Sequence, residues 1–457
     1  MSQTFDAIVV GAGQAGPAFA GRLTKTGMKV ALIERHLVGG TCVNTGCMPT
    51  KALVASAYAA HLARRAADFG VRIDGSIGID FAAVMARAHG VTLNARTSNE
   101  RWLESMNGLT FMRGHARFEG PHRLRVGAET LEAAKIFLNV GGRAAVPDMP
   151  GVADVPYLTN TGILALEALP EHLIVVGGSY VGLEFAQMYR RFGSRVTVIE
   201  QGSRLIGRED EDVSTAIREI VEAEGITVRT DTTCIRLETR PQGVAVGVDC
   251  KQGEPLVAGS HVLLAVGRRP NTDDLGLETA GVKTDARGYI EVDDGLATNV
   301  EGVWALGDCN GRGAFTHTAW NDYEIVAANL LDNEHRKVSD RLPGYALYID
   351  PPLGRVGLTE AQARERFPNV LVSKRPMTRV GRAVEKGETQ GFMKLLADPV
   401  TQRLLGAAIL GTGGDEAIHG ILDMMNAERP YTVLEWAVPI HPTVSELIPT
   451  LIRDLQS

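Results

Sequence analysis

Two cysteines separated by four residues carry the most informative chemistry in the sequence. Cys42 and Cys47 lie in the segment 39–51, which also contains Pro49. Proline is common in the first turn of a helix, so Pro49 predicts a helix that runs to about residue 67. Cys47 then lies near a helix N-terminus, where the helix dipole favours a thiolate. The spacing permits a disulfide if the first helical turn brings the two sulfurs together.

The alternatives for this pair are two buried free cysteines or one half of a zinc site. A zinc site needs further ligands, and the sequence has no second C-x₂₋₄-C pattern and no H-x₃₋₅-H pattern. Because the pair directly follows a segment with Gly11, Gly13, Gly16 and Glu34, a pattern typical of nucleotide binding, we interpret it as a redox disulfide and expect no metal. Cys234, Cys250 and Cys309 have no partner pattern and are expected to be small core or surface residues.

A dinucleotide-binding βαβ unit opens the chain. An apolar run at residues 7–10 predicts a buried strand, and Gly11, Gly13 and Gly16 follow it before a helical stretch. Glycines allow a tight turn and let a pyrophosphate approach the helix N-terminus. A second apolar run leads into Glu34, whose carboxylate can accept a hydrogen bond from a ribose hydroxyl.

A second unit of the same kind begins at residue 173. Its glycine turn contains Gly177 and Gly182, with Ser179 in place of the middle glycine, and the unit ends at Glu200. Serine is small enough for the backbone to approach a phosphate. The expected elements are a strand at 173–176, a helix at 183–192 and a strand at 195–199. Two nucleotide sites in one chain indicate one bound cofactor and one exchanging substrate.

The composition is that of a folded protein with an excess of glycine. The chain has 457 residues, 51 glycines, five cysteines, 44 % apolar residues and a formal net charge of −7. The length predicts two to four domains. The acidity gives no sign of a nucleic-acid surface, and no apolar run reaches the ~18 residues that span a bilayer. The N-terminus lacks a signal-peptide pattern, so we expect a cytoplasmic protein without nucleic-acid or membrane partners.

The remaining sequence predicts places where the chain crosses between the two nucleotide-binding units, followed by a separate C-terminal domain. Apolar stretches run into Gly141 and Gly267, and a further buried strand ends at Asp308. From about residue 342, strands at 391–396 and 405–410 precede helices from residue 415 and near residue 446, which predicts an α+β domain. The acidic run 209–212 is interpreted as the solvated start of a helix, with no function attached.

A histidine near the end of the chain has acid–base potential. His441 precedes Pro442, and Thr443 and Glu446 follow. Thr443 and Glu446 fit a capping box, which would account for both residues without any catalytic role. The cap leaves His441 unexplained, and an imidazole oriented by a carboxylate can transfer protons near neutral pH. The residues alone leave both interpretations open.

These motifs, in this order, resemble those of the flavin-dependent pyridine nucleotide–disulfide oxidoreductases, and the resemblance covers nearly the whole chain. The family includes dihydrolipoamide dehydrogenase, glutathione reductase, mercuric reductase and hypothiocyanous-acid reductase. The resemblance implies bound FAD and NADH or NADPH as electron donor. The implied FAD site consists of Gly11, Gly13, Gly16, Glu34, Thr41, Lys51, Gly141 and Asp308. The implied NAD(P) site consists of Gly177, Tyr180, Gly182, Glu184, Glu200 and Gly267, with Tyr180 as an aromatic gate over the nicotinamide pocket.

The resemblance also implies an α/β fold with two Rossmann-like nucleotide-binding domains and a C-terminal α+β dimerisation domain. The implied boundaries are 1–150 and 270–340 for the FAD domain, 151–269 for the NAD(P) domain and 341–457 for the dimerisation domain. His441 and Glu446 match the acid–base dyad of the family. In the family, this histidine reaches the disulfide of the other subunit, which implies a homodimer.

The implied reaction passes hydride from NAD(P)H through FAD to the Cys42–Cys47 disulfide and on to a small disulfide or other thiol-reactive acceptor. Cys47 would lie nearest the flavin, Cys42 would attack the acceptor, and His441 would protonate the leaving group. The alternatives are a mercuric ion reductase, or a dihydrolipoamide dehydrogenase that is a subunit of a 2-oxo-acid dehydrogenase complex. No cysteine follows Cys309, whereas mercuric reductases carry a C-terminal pair, and the segment 315–325 differs from the Ala-His-Lys-Ala pattern of dihydrolipoamide dehydrogenase. Glu200 favours NADH, because an acid at this place repels a 2′-phosphate.

Overall fold

The first part of the chain forms a mixed sheet covered by helices. The computed structural model describes residues 2–249 and 255–456. The first elements are, in chain order, β1 (Ser2–Val10), α1 (Ala15–Thr24), β2 (Val30–Glu34), α2 (Gly40–Asn44), α3 (Cys47–Arg64), α4 (Phe81–Glu104), β3 (Leu109–Arg113), β4 (Ala116–Gly120), β5 (Arg123–Val126), β6 (Glu129–Leu138) and β7 (Gly142–Ala144). The sheet order is β3-β2-β1-β6-β5-β4. The pairs β3-β2, β2-β1 and β1-β6 are parallel, so the carboxyl ends of these strands meet at one edge, where the glycine turn lies.

The second part repeats the parallel arrangement with a smaller sheet. Its elements are α5 (Asn160–Ile163), β8 (His172–Val176), α6 (Tyr180–Phe192), β9 (Arg195–Ile199), α7 (Glu211–Ala223), β10 (Thr227–Arg229), β11 (Thr233–Arg240), β12 (Gly243–Asp249), β13 (Leu256–Gly259) and β14 (His261–Leu264). The strands β10-β9-β8-β14 form a parallel sheet, and β11-β12-β13 form an antiparallel one. Every residue of β8 is buried, as expected for a strand covered on both faces.

The chain then returns to the first sheet. The elements of this return are β15 (Arg268–Pro270), α8 (Leu277–Ala280), β16 (Val303–Ala305) and α9 (Thr316–Leu331). β15 pairs with β7, so the two crossings between the sheets lie side by side, and β16 adds to the first sheet beside β6. The apolar stretches that run into Gly141 and Gly267 are therefore the crossings that the sequence predicts.

The last part is an antiparallel sheet with helices on it. Its elements are β17 (Gly344–Leu347), β18 (Leu353–Gly357), α10 (Glu360–Arg366), β19 (Leu371–Pro376), α11 (Gly381–Glu385), β20 (Phe392–Asp398), β21 (Arg403–Leu410), α12 (Gly414–Asn426) and α13 (Ile448–Arg453). The strand order is β17-β18-β21-β20-β19. The α+β pattern predicted from about residue 342 agrees with this arrangement.

Several local expectations differ from the structure. The strand expected at 7–10 begins at Ser2, and the helix expected at 183–192 begins at Tyr180. The helix expected to begin at Pro49 begins at Cys47, with Gly46 preceding it, and ends at Arg64. The acidic run does begin α7, but its first two residues are not solvated, because Glu209 and Asp210 are 1 % and 9 % exposed.

The three cysteines without a partner pattern are only partly described. Cys309 is completely buried and its Sγ donates to the Leu138 and Leu306 carbonyl oxygens, which is the core role expected of it. Cys250 and the side chain of Cys234 lie outside the described part of the chain. Within residues 2–249 and 255–456, no helix combines the length and apolar character needed to cross a membrane.

Candidate active site

The first glycine turn is too tight for side chains. Gly11 has a φ of +106°, and a Cβ there would lie 2.3 Å from the Asn139 carbonyl oxygen. A Cβ on Gly16 would lie 2.0 Å from the Gly11 carbonyl oxygen. Between them, a Cβ on Gly13 would lie 3.4 Å from the Asn139 side-chain nitrogen. The turn therefore presents bare backbone at the start of α1, which is the cradle that a pyrophosphate needs.

Glu34 is the acid that accompanies this turn. It ends β2 and is buried, with 8 % of its surface exposed. Its Oε2 accepts a hydrogen bond from the Ala12 N–H at 2.8 Å, and its Oε1 accepts one from the His36 N–H at 2.8 Å. The carboxylate is thereby fixed beside the first glycine turn. The residues present fit a bound dinucleotide.

The second turn has the same construction. Gly177 has a φ of +111°, and a Cβ there would lie 2.4 Å from the Ala265 carbonyl oxygen. A Cβ on Gly182 would lie 2.0 Å from the Gly177 carbonyl oxygen. Ser179, which replaces the middle glycine, is the residue that precedes α6. Serine is therefore accommodated at the start of the helix without disturbing the two close approaches.

Glu200 has the same relation to the second turn as Glu34 has to the first. Its Oε2 accepts from the Gly178 N–H at 2.6 Å and its Oε1 from the Gly202 N–H at 2.7 Å. Nearby, the Arg204 guanidinium donates to the Gly207 carbonyl oxygen at 3.2 Å. Arg204 is therefore engaged by backbone and does not neutralise Glu200 directly.

The two cysteines are held where α2 meets α3. Cys42 lies in α2 and Cys47 is the first residue of α3, and both are free thiols in the structure. The hydrogen bond between them is the largest influence that lowers the pKa of Cys47 to about 6, and Thr316 and Lys51 act in the same direction. The same hydrogen bond, together with burial, raises the pKa of Cys42. The negative charge of the reduced pair therefore rests on Cys47.

Lys51 joins the cysteine helix to the second nucleotide unit. Its Nζ lies 2.6 Å from Glu184 Oε2, and the Glu184 side chain is only 7 % exposed. The Glu184 Oε1 also accepts from the Tyr348 N–H at 3.1 Å, and Lys51 Nζ lies 4.5 Å from the centre of the Tyr348 ring. Because α3 packs against α6, this ion pair ties the cysteines to the helix that carries Tyr180.

Tyr180 is the first residue of α6 and contacts two other aromatic rings. Its ring centre lies 5.9 Å from that of Phe315 and 5.3 Å from that of Tyr345, both edge to face. Burial raises the pKa of Tyr180 to about 12. Its hydroxyl is buried without a hydrogen-bond partner among the described residues. Packing against the two neighbouring rings therefore positions the Tyr180 ring.

Asp308 lies at the crossing between the sheets. Burial raises its pKa, while Arg268, with its Nε 3.3 Å from Asp308 Oδ2, acts in the opposite direction. The Arg268 guanidinium also donates to the Gly142 carbonyl oxygen at 2.5 Å and approaches Thr41 Oγ1 at 3.5 Å. Asp308, Thr41 and the glycines at residues 141–142 therefore form one corner of the site.

Several residues that shape the site were not predicted. Asn139 donates to the Gly11 carbonyl oxygen at 3.4 Å, and Thr316 Oγ1 lies 3.4 Å from Cys47 Sγ. Asp322 accepts from the Gly307 N–H at 2.8 Å and so fixes the turn before Asp308. The only signal for Asn139 was a polar residue at the end of an apolar strand, and nothing local marks Thr316.

The predicted acid–base pair forms a direct contact. His441 Nδ1 lies 2.9 Å from Glu446 Oε2, and the His441 side chain is 79 % exposed. The capping pattern is present as well, since the Glu446 N–H donates to Thr443 Oγ1 at 3.2 Å and the Thr443 N–H reaches Glu446 Oε2 at 3.4 Å. Glu446 thus orients His441 and caps the turn that precedes α13.

One cavity of about 2180 Å³ brings most of the predicted residues together. Its lining includes Gly11, Gly13, Glu34, Thr41, Cys42, Cys47, Lys51, Gly141, Gly177, Tyr180, Glu184, Glu200, Gly267 and Asp308. Gly16 and Gly182 lie behind the two turns. Among the described residues, His441 and Glu446 are not part of the lining.

Two family models match the chain. The model described as pyridine nucleotide-disulphide oxidoreductase matches residues 5–322, and that of the dimerisation domain of the same family matches residues 344–452.

Curated relatives and solved structures agree with these matches. The chain is 36 % identical over 451 residues to the probable pyridine nucleotide-disulfide oxidoreductase RclA of Escherichia coli (strain K12), covering 97 % of each chain. It is 36 % identical over 420 residues to the mercuric reductase of Streptomyces lividans, covering 91 % of this chain and 88 % of the relative. It is 34 % identical over 447 residues to the dihydrolipoyl dehydrogenase of Thermus scotoductus, covering 97 % and 96 %. The structure of the HOCl-induced flavoprotein disulfide reductase RclA from E. coli superposes with a TM-score of 0.89 at 35 % identity, covering 98 % of this chain and 99 % of that one.

Proposed function

Because the chain belongs to the pyridine nucleotide-disulphide oxidoreductase family, we propose that it reduces a small disulfide or another thiol-reactive acceptor through Cys42 and Cys47. It is an FAD- and NAD(P)H-dependent flavoprotein oxidoreductase, and its relatives support the disulfide reductase class. The observation that carries the proposal is the position of the two thiols. They lie in one cavity with both glycine turns and with the Lys51–Glu184 pair.

The first glycine turn, with Glu34, Thr41, Lys51 and Asp308, would hold the flavin cofactor. When bound there, FAD would accept electrons from the nicotinamide and supply them to the Cys42–Cys47 disulfide. The chain would hold the nicotinamide and the cysteine pair close to the flavin. The second turn and Glu200 would bind the exchanging NAD(P)H, and Tyr180 would cover the nicotinamide pocket until the nucleotide enters. We propose a cytoplasmic location, where NAD(P)H is available to the enzyme.

The thiol chemistry follows from the pKa values of the pair. Cys47 carries the thiolate of the reduced pair, so Cys42 must lose a proton before it can attack an acceptor. For a disulfide acceptor, Cys42 displaces one thiolate and forms a mixed disulfide. Cys47 then attacks the sulfur of Cys42, restores the protein disulfide and releases the second thiolate. A proton carrier is needed for the Cys42 proton and the leaving thiolates, and an imidazole suits it.

We infer that this carrier is His441 of the other subunit. The chain has a dimerisation domain of the family, which supports a homodimer. Beside the exposed His441, Trp436, Val438 and Ile440 are 86 %, 95 % and 80 % exposed, an apolar surface that a second subunit would cover. His441 would then enter the cavity of the partner with Glu446 holding its Nδ1, which leaves Nε2 free for the thiols.

The acceptor is tested with a panel. The purified flavoprotein is assayed for NADH oxidation with lipoamide, glutathione disulfide, Hg(II), Cu(II) and hypothiocyanous acid under anaerobic conditions. Turnover with glutathione disulfide or hypothiocyanous acid that exceeds turnover with lipoamide and with both metal ions supports the proposal. Preferred turnover of Hg(II) or lipoamide would instead assign the chain to the mercuric reductase or dihydrolipoamide dehydrogenase type.

Thr316→Val is expected to weaken the thiolate at Cys47. Valine keeps the shape of the side chain but removes the hydroxyl that lies 3.4 Å from the sulfur and lowers its pKa. The midpoint of the thiolate titration should rise by about one pH unit. It is read from the pH dependence of the long-wavelength absorbance that a thiolate gives beside a bound flavin in the reduced enzyme. Ser56→Ala, further along α3, serves as the control and should leave the midpoint in place.

NADH is expected to be preferred over NADPH by about ten-fold in kcat/KM, because the fixed carboxylate of Glu200 repels a 2′-phosphate. Glu200→Gln should narrow this ratio by improving NADPH and weakening NADH. The measurement is steady-state kinetics with both nucleotides, with Glu171→Gln at an exposed acid as the control. An NADPH preference in the unmodified enzyme would contradict the assignment of Glu200.

A further inference from the structure

The acidic run is clamped to the C-terminal sheet rather than solvated. Cross-strand neighbours form a row across that sheet, one from each strand in sheet order: Tyr345, Arg355, Ala408, Lys394 and Lys374. Three members of this row are cations, and the acidic run lies against them. Ion pairs between this row and the acidic run therefore connect the C-terminal sheet to the start of α7.

The outer half of the row is a closed set of ion pairs. Lys394, only 3 % exposed, lies 2.6 Å from Glu360, 3.3 Å from Asp210 and 3.3 Å from Asp212. Lys374 lies 2.8 Å from Asp212 at the surface. Breaking a buried pair of this kind leaves a charge unpaired, so these contacts fix the position of the run on the sheet.

At the other end of the row, Arg355 and Tyr345 contact Glu209, and Tyr345 also contacts other aromatic side chains. The Glu209 side chain is 0 % exposed, accepts a hydrogen bond from the Tyr345 hydroxyl, and lies 3.8 Å from Arg355 Nε. Burial raises the pKa of Tyr345, so the phenol keeps the proton that it donates. The buried Glu209 carboxylate therefore holds the Tyr345 side chain through the Tyr345 hydroxyl, where the acidic run packs on the C-terminal sheet.

Tyr345 in turn contacts the ring of Tyr180. The two rings meet edge to face with centres 5.3 Å apart, and Phe315 stacks on Tyr345 with centres 5.8 Å apart. The Arg208 guanidinium lies 4.8 Å from the Tyr180 ring centre and 5.9 Å from that of Tyr345. These neighbours together determine where the Tyr180 ring stands.

We propose that Glu209 and Tyr345 are positioning residues that latch Tyr180 over the nicotinamide pocket. This inference rests on the proposed function, since Tyr180 acts as a gate only if a nicotinamide binds beneath it. NADH and the closed Tyr180 ring compete for the same space. The apparent affinity for NADH is therefore reduced by the fraction of molecules in which the gate is open. The latch keeps that fraction small without touching substrate or cofactor.

Tyr345→Phe tests the hydrogen bond to Glu209 separately from the packing of the aromatic rings. Phenylalanine keeps the ring contacts with Tyr180 and Phe315 but removes the hydroxyl that Glu209 holds. We expect the KM for NADH to fall on the order of five-fold with kcat unchanged, because only the open fraction rises. Lys374→Gln, at the exposed end of the same row, is the matched control and should leave both constants unchanged.

The decisive experiment introduces Tyr345→Phe into a variant that lacks the Tyr180 ring. In a Tyr180→Ala background, Tyr345→Phe should change the KM for NADH by less than two-fold, since a positioning residue has nothing left to position. An equal effect in both backgrounds, or a rise in KM from Tyr345→Phe, would overturn the latch. Glu209→Leu removes the acceptor of this bond and should reproduce the fall in KM if Tyr345→Phe does not fold.

Failure of the proposed function looks different from failure of the latch. If the unmodified holoenzyme does not oxidise NADH at all, the function is wrong. If it oxidises NADH and all variants match it, the function stands and the latch is wrong.

Discussion

Cys42→Ser should abolish reduction of the disulfide acceptor, by about a thousand-fold or more in kcat, while NADH still reduces an artificial dye at the unmodified rate. A serine hydroxyl is far less acidic than a thiol and cannot form the mixed disulfide. The nucleotide sites and the Lys51–Glu184 pair do not depend on this sulfur, so entry of electrons is preserved. The two activities are measured on the same preparation, with glutathione disulfide or the best acceptor of the panel and with ferricyanide.

The control for this substitution is another cysteine. Cys309 is completely buried in the core beside the first sheet, and Cys309→Ala should keep both activities. Retention of more than half of the disulfide turnover by Cys42→Ser would exclude Cys42 as the attacking thiol. Loss of dye reduction together with disulfide turnover would point to damage at the cofactor site instead.

The features that the sequence predicts well are those in which neighbouring residues decide the structure. Each glycine turn is formed within six residues, and the close approaches at Gly11 and Gly177 leave no alternative to glycine. The strand predicted over 195–199 has these bounds in the structure. The fold class and the cofactors also agree with the family matches.

The features that the sequence does not predict depend on distant partners. Thr316 begins α9, far along the chain from Cys47, so no local spacing brings the two together. The sequence around the acidic run predicts a solvated helix start. Its first two residues are buried because the register of four strands places Arg355 and Lys394 opposite them. The sequence shows which residues are charged, but the register of the sheet determines which of these charged residues form ion pairs.

His441→Gln is expected to lower disulfide turnover by about a hundred-fold or more, through loss of the proton carrier for Cys42. Glutamine keeps a hydrogen-bonding side chain but cannot exchange a proton near neutral pH. Reduction of ferricyanide should be unaffected, since it needs no proton at the thiols. This variant alone does not show which subunit supplies the histidine, because every site of its homodimer lacks it.

A hybrid dimer answers that question. Subunits carrying Cys42→Ser and His441→Gln are given different affinity tags, expressed together and purified through both tags. If His441 acts on the partner's cysteines, one of the two sites contains an intact cysteine pair and an intact histidine. The hybrid should then show about half of the unmodified activity. If each histidine serves its own subunit, both sites are defective and the hybrid is as inactive as its parents. A hybrid of Cys42→Ser with an unmodified subunit should show about half activity under either arrangement, which establishes that the mixed dimers assemble and work.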